Sequence, residues 1–88
     1  MDRHIIVGVH VTDRLENAAP VQAILTEYGC FIKTRLGLHE TADGQKCCSK
    51  NGLLILEMIG DLAETNAMMA KLGAIDGLYV QKMVFDHL

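Results

Sequence analysis

From His4 to Val11 hydrophobic positions recur every second residue: Ile5, Val7, Val9 and Val11 share one face, while Ile6 and Gly8 leave the other face non-polar as well. A period of two is that of a β-strand, and apolarity on both faces suits a strand inside a sheet better than one at its edge. The period then lengthens. In "TDRLENAAPVQAILTEYG" the residues Val21, Ile24, Leu25 and Tyr28 keep the i, i+3, i+4, i+7 spacing of an amphipathic helix, with Gly29 as its C-terminal stop. With Asn17 as the cap, Pro20 falls in the first turn, where amides have no helical partner to lose.

Strict alternation returns in "CFIKTRLGLHE", with Cys30, Ile32, Thr34, Leu36 and Leu38 on one side and Phe31, Lys33, Arg35, Gly37 and His39 on the other, which predicts a half-exposed strand. The polar segment "TADGQKCCSKNG" carries Asp43-Gly44 and Asn51-Gly52, two strong turn dipeptides, and reads as the long loop of a hairpin. "LLILEMI" is apolar on both faces apart from Glu57, the mark of a second central strand. "GDLAETNAMMAKLG" opens with Asp61 and Glu64 in a capping-box spacing, carries Leu62, Thr65, Met69 and Leu72 on one stripe and ends at Gly73. "LYVQKMVF" closes the pattern, with Leu78, Val80, Lys82 and Val84 alternating against Tyr79, Gln81, Met83 and Phe85.

The order β-α-β-β-α-β predicts one α+β domain over residues 1–88: a ferredoxin-like sandwich of a four-stranded antiparallel sheet, order 4-1-3-2, with two helices on one face. That topology places strands one and three in the middle, the same two that composition marks as two-sided. Helices cover only one face. If Ile5, Val7, Val9 and Val11 point at them, the opposite face carries Ile6, Gly8 and His10 beside an apolar row from strand three, and a contiguous apolar patch on so small a domain predicts self-association through the sheet, as a homodimer or homotetramer.

Composition narrows the function classes. A chain of 88 residues buries only about 60–65% of its unfolded surface, so an isolated copy is of marginal stability although half its residues are hydrophobic, ample for a core. The net charge of −3 and the scattered lysines and arginines give no basic footprint for direct nucleic-acid binding, and four aromatics without a tryptophan leave little to stack bases on. The apolar N-terminal run is too short to cross a bilayer and has no cleavage-site pattern, so no membrane partner is expected. Three cysteines, two of them adjacent, are no disulfide framework and fit a reducing, cytoplasmic setting.

The closing run Leu72-x-x-Ile75-x-Gly77-Leu78-x-Val80, together with "TRLGLHE" (34–40), "CSKNGLLILEMIG" (48–60) and "KLGAIDGLYVQKMVF" (71–85), resembles the ACT-like regulatory domains. Within them it resembles the small single-domain relatives of the C-terminal domain of the nickel-responsive repressor, proteins described as iron-only hydrogenase system regulators. The resemblance implies a non-enzymatic regulatory domain that assembles into dimers or tetramers and senses a small molecule or ion at a subunit contact. The nickel repressor has an N-terminal ribbon-helix-helix reader, whereas this sequence starts at strand one, so a regulator of this type is expected to act through a protein partner.

Two sets of residues are candidates for ligand chemistry. His39, Cys47 and Cys48 offer imidazole and thiolate, donors that suit a divalent transition metal such as nickel or zinc, and the resemblance places a nickel site at this second strand and hairpin. The spacing matches no C-x-x-C knuckle, and Gly37 stands where the nickel repressor has a second histidine, so a solvated hairpin tip with free thiols is the alternative. His4, His10 and His87 lie elsewhere. ACT domains bind amino acids near the first loop, which here nominates Asp13, Arg14 and Asn17 as ligand-binding residues; simple capping of the following helix is the alternative. Catalysis is not expected. The loop after strand one has Arg14 without the glycines of an acylphosphatase phosphate loop, and none of the C-x-x-C of heavy-metal chaperones. Gly8 in mid-strand asks for either a bulge or a close approach from a partner.

Overall fold

A computed structural model describes residues 2–12, 15–39 and 52–87 of the chain. In chain order the elements are β1 (Asp2–Val11), α1 (Ala19–Glu27), a 3₁₀ turn (Gly29–Phe31), β2 (Ile32–His39), β3 (Gly52–Met58), α2 (Leu62–Gly73) and β4 (Leu78–His87). The sheet runs β2-β3-β1-β4, every neighbouring pair antiparallel, so the fold is the expected ferredoxin-like sandwich with β1 and β3 central.

The core lies between the sheet and the helices. Ile5, Val7 and Val9 of β1, Leu56 and Met58 of β3 and Leu78 of β4 pack against Val21, Leu25 and Tyr28 from the first helical segment and Met68 and Leu72 from α2. Side chains two apart along each strand share this face, as the pleat requires. The stripe of α2 differs in one position from the sequence expectation: Met68 is fully buried and Met69 only partly. Thr65, Met68 and Leu72 form the i, i+3, i+7 line that meets the sheet, and Leu62 and Met69 flank it.

The helix ends depart from expectation in detail. α1 starts at Ala19 with Ala18 in the capping position, and Asn17 acts one residue earlier than a cap, its Oδ1 accepting the Ala19 N–H at 2.9 Å. Asp61 does occupy the cap of α2 but makes no side-chain capping bond there; its carbonyl accepts the Glu64 and Thr65 amides instead. Gly60, with φ +92°, turns the chain from β3 into α2, a conformation in which an L side chain is strained. Gly77, φ +94°, does the same before β4, and its carbonyl accepts both the N–H and the hydroxyl of Thr12 at 3.0 and 2.8 Å, tying the end of β1 to the start of β4.

β2 does not alternate as its sequence suggests. Cys30 and Phe31 belong to the 3₁₀ turn, and a register shift between Ile32 and Thr34 sets Ile32 opposite Met58 but Thr34 opposite Glu57. The extra residue at the bulge sends Ile32 to the core while Thr34 and Leu36 go to the other face, and Arg35 faces the helices, where it donates to Gln22 Oε1 of α1 at 2.9 Å. Across the helix pair, Lys71 donates to Glu27 at 2.7 Å and lies 5.1 Å from the centre of the Tyr28 ring. Among the described residues no helix is long and apolar enough to cross a membrane.

Candidate functional site: the open face of the sheet

Among the described residues no element covers the face turned away from the helices. Strand register arranges it in rows: Thr34, Glu57, Ile6 and Met83 in one, Leu36, Ile55, Gly8 and Gln81 in the next, and His10 between Leu53 and Tyr79 in a third, with His4 beside Phe85 at the other end. Met83 is 58% exposed, Tyr79 56%, Leu36 51% and Phe85 45%. Exposed apolar side chains on β2 and β4, with half-buried Ile6 and Ile55 between them, form a surface that water solvates poorly.

A polar cluster interrupts this surface. Glu57, the single charged residue of β3, accepts a hydrogen bond from the Thr34 hydroxyl at 2.8 Å through Oε1 and lies 2.7 Å from His4 Nε2 through Oε2. A carboxylate can only accept, so Nε2 is the protonated nitrogen of His4 in this contact. The bond from His4 first, and that from Thr34 second, hold the Glu57 carboxyl below the usual carboxylate range, with the positive charge of Lys33 adding to them. The His4 ring leans on Phe85, centroids 6.2 Å apart, and His10 pairs similarly with Tyr79 at 6.5 Å. Between the two histidines Gly8 forms a dip: a Cβ built there meets nothing within 4 Å, and the pairings of β1 run through it unbroken. Gly8 is therefore no bulge, and among the described residues nothing occupies its space.

Residue order in the cluster limits its chemistry. The carboxylate sits in the middle and accepts from both neighbours, so the Thr34 proton is spent on fixing Glu57 and no imidazole lies ready to activate the hydroxyl. What the arrangement offers is a fixed carboxylate and a half-exposed imidazole on an apolar floor, a setting for binding.

Of the residues nominated from sequence, Asn17 and the backbone of His39 fall within the described residues. Asn17 accepts the Ala19 N–H just ahead of α1. Asp13 and Arg14 lie outside the described residues, as do Cys47 and Cys48; His39 ends β2 opposite Gly52. Among the described residues no group of three or more histidine, cysteine or acidic side chains is placed to hold a metal ion. Cys30 is exposed and free. Sequence reading passed over Thr34 and Glu57. The available signal was Glu57 itself, the one charge in "LLILEMI", but its contact with Thr34 depends on a β2 bulge that alternation does not announce, and that with His4 on the β1–β3 register.

No family model matches the chain, and no curated protein matches it. Among solved structures, an uncharacterized protein from Thermotoga maritima superposes with a TM-score of 0.77 at 21% identity, covering 97% of this chain and 100% of that one, and it shares the fold. A dimeric ferredoxin-like protein of unknown function from Thermobifida fusca aligns at a TM-score of 0.44 and 8% identity over 94% and 91% of the two chains. The apo C-terminal domain of a cyclometallase involved in synthesis of the NPN cofactor of lactate racemase aligns at 0.49 and 7% identity, over 97% of this chain and 57% of that one.

Proposed function

We propose that this small ferredoxin-like domain is a non-enzymatic regulatory module of the ACT-like kind. It works as a homo-oligomer built through its sheet and takes a small ligand at the contact between subunits. The observation that carries this reading is the open face, where Leu36, Tyr79, Met83 and Phe85 stand exposed around the His4–Glu57–Thr34 cluster. An apolar surface of that extent is stabilised by a second copy, and a polar cluster set into it supplies directional bonds for a ligand. Regulatory output, including the iron-only hydrogenase link suggested by the sequence resemblance, then passes through a protein partner.

Sedimentation velocity over a range of micromolar concentrations tests the assembly. A dimer or larger species is expected, and a strict monomer throughout overturns the reading. A thermal-shift screen against amino acids, nucleotides and divalent metals tests the ligand, since a compound that binds only the folded protein raises its melting temperature. A rise that disappears in Glu57→Gln assigns the contact to the open face.

A further inference from the structure

The two edges of the sheet are not alike. β2 carries a bulge at Ile32/Thr34 and presents Lys33 and Arg35 with no acidic residue between Ile32 and His39, the features that keep an edge strand from pairing. β4 runs ten residues in unbroken register with β1, has no proline, and exposes apolar side chains on both of its faces.

Backbone parity shows which groups of β4 are unused. Thr12 N–H donates to Gly77 O, and the β1–β4 register places these two residues opposite each other, so they form a hydrogen-bonded pair. Hydrogen-bonded and non-bonded pairs alternate along an antiparallel ladder. The odd-numbered residues of β4, including Gln81, Met83 and Phe85, therefore bond to β1. The even-numbered residues Lys82, Val84 and Asp86 aim N–H and C=O away from the sheet. The Leu78 N–H, bonded to Ile75 O in the preceding turn, obeys the same parity.

We propose that the partner on this edge is a second copy of the chain, joined by antiparallel pairing of β4 with β4 about a two-fold axis at Val84. This deepens the homo-oligomer reading above and rests on it. Three observations select the register. Only even-numbered residues can form the bonded pairs. With Val84 opposite Val84 of the other protomer, Lys82 stands opposite Asp86, twice by symmetry, whereas a shift that centres Lys82 sets like charges together and one that centres Met83 pairs each charge with a valine. On the open face the same register sets Met83 opposite Phe85 as a non-bonded pair, the closer kind, joining a thioether to an aromatic ring. Asp86 is already held by Arg3, Nε to Oδ1 at 3.3 Å, so the Lys82 ammonium of the other protomer completes an Arg–Asp–Lys line. The axis also falls where the helices leave room. Leu78 is buried and Val80 half-buried beneath them, but Lys82, Val84 and Asp86 are exposed. The product is one continuous eight-stranded sheet with both helix layers on the same side.

Val84→Pro tests the pairing, because it removes an N–H that the β1–β4 ladder does not use and sets a proline ring on the free edge. Sedimentation equilibrium should show the dimer dissociation constant raised by about tenfold or more, with folding retained by circular dichroism. Lys82→Glu, which sets like charges opposite each other, should weaken the dimer as well. Amide exchange gives an independent readout in the unmodified protein: the Lys82, Val84 and Asp86 amides should exchange slowly at high concentration and faster on dilution. A dimer that persists in Val84→Pro, with fast exchange at those three amides, overturns the β4 pairing and leaves the homo-oligomer reading standing. A strictly monomeric unmodified protein overturns both.

Discussion

Thr65 is wholly buried in the stripe of α2, and its hydroxyl oxygen has no hydrogen-bond partner among the described residues. A buried polar group left unsatisfied costs about 1–3 kcal/mol, and an apolar atom of similar size in its place recovers that cost. Thr65→Val makes this exchange. Both side chains are branched at Cβ and nearly equal in helix propensity, so local backbone preference cancels and what remains is the hydroxyl. The expected gain is about 1–2 kcal/mol. In a domain of this size each 1 kcal/mol raises Tm by about 4–8 °C, and it moves the urea midpoint by about 0.5–1 M at unchanged m. Urea titration followed by circular dichroism, both proteins at one concentration because association adds its own stability, measures the difference. Thr65→Ser is the counterpart: it keeps the hydroxyl, removes a methyl from the core and should cost about 1 kcal/mol. A loss of about 1 kcal/mol or more in Thr65→Val would refute the argument, because it would mean that the hydroxyl is bonded, for instance to the Asp61 carbonyl one turn back, which already accepts the Thr65 N–H at 3.4 Å.

Gly60→Ala should destabilise by about 1–2 kcal/mol or more in the same assay, since alanine is strained at φ +92° and its Cβ would stand 3.2 Å from the Phe31 ring. Gly8→Ala should do the opposite, raising stability by about 0.4–1 kcal/mol, because the position is extended and open and the change mainly restricts the unfolded chain. Glu57 has a pKa lower folded than unfolded, so its contribution to stability is present above the ordinary carboxylate value of about 4.3 and is lost as pH falls through the lowered folded value. Melting curves between about pH 5 and pH 3 should therefore fall more steeply for the unmodified protein than for Glu57→Gln, and parallel curves would show the cluster absent in solution.

The architecture was readable because two periodicities carried it. Apolarity on both faces of "IIVGVHV" and "LLILEMI" separated central from edge strands, and the 3.6-residue stripes located both helices. What sequence could not supply was the relation between strands far apart in the chain. The bulge after Ile32 moves Thr34 onto the open face and brings its hydroxyl to Glu57, 23 positions on, while the separate β1–β3 register brings His4 to the same carboxylate. Histidine and cysteine counted along the chain pointed to His39, Cys47 and Cys48, of which the two cysteines lie outside the described residues. The local role of Asn17 at the helix start was foreseeable from its residue type and position, and its Oδ1 does accept the Ala19 N–H.

The open face could be covered in two ways, and the polar cluster discriminates between them. Face-to-face packing of two sheets would strip water from Glu57 and His4, now 26% and 50% exposed at their side chains, and from His10 and Gln81. Taking the Glu57 carboxylate and the His4 imidazole out of water carries a desolvation cost that only well-placed polar groups of the other copy would offset. Pairing through β4 avoids that cost, since every member of the cluster stays in water and the apolar gain comes from Met83 and Phe85 closing on their counterparts. It also changes what lies at the subunit contact. Met83 is opposite Ile6 and Phe85 opposite His4 in the β1–β4 register, so a seam lined by Met83 and Phe85 from both protomers is flanked on each side by a His4–Glu57 pair. A ligand lying across such a seam would touch both subunits and a carboxylate or imidazole of each, and its binding would be coupled to dimerisation by mass action.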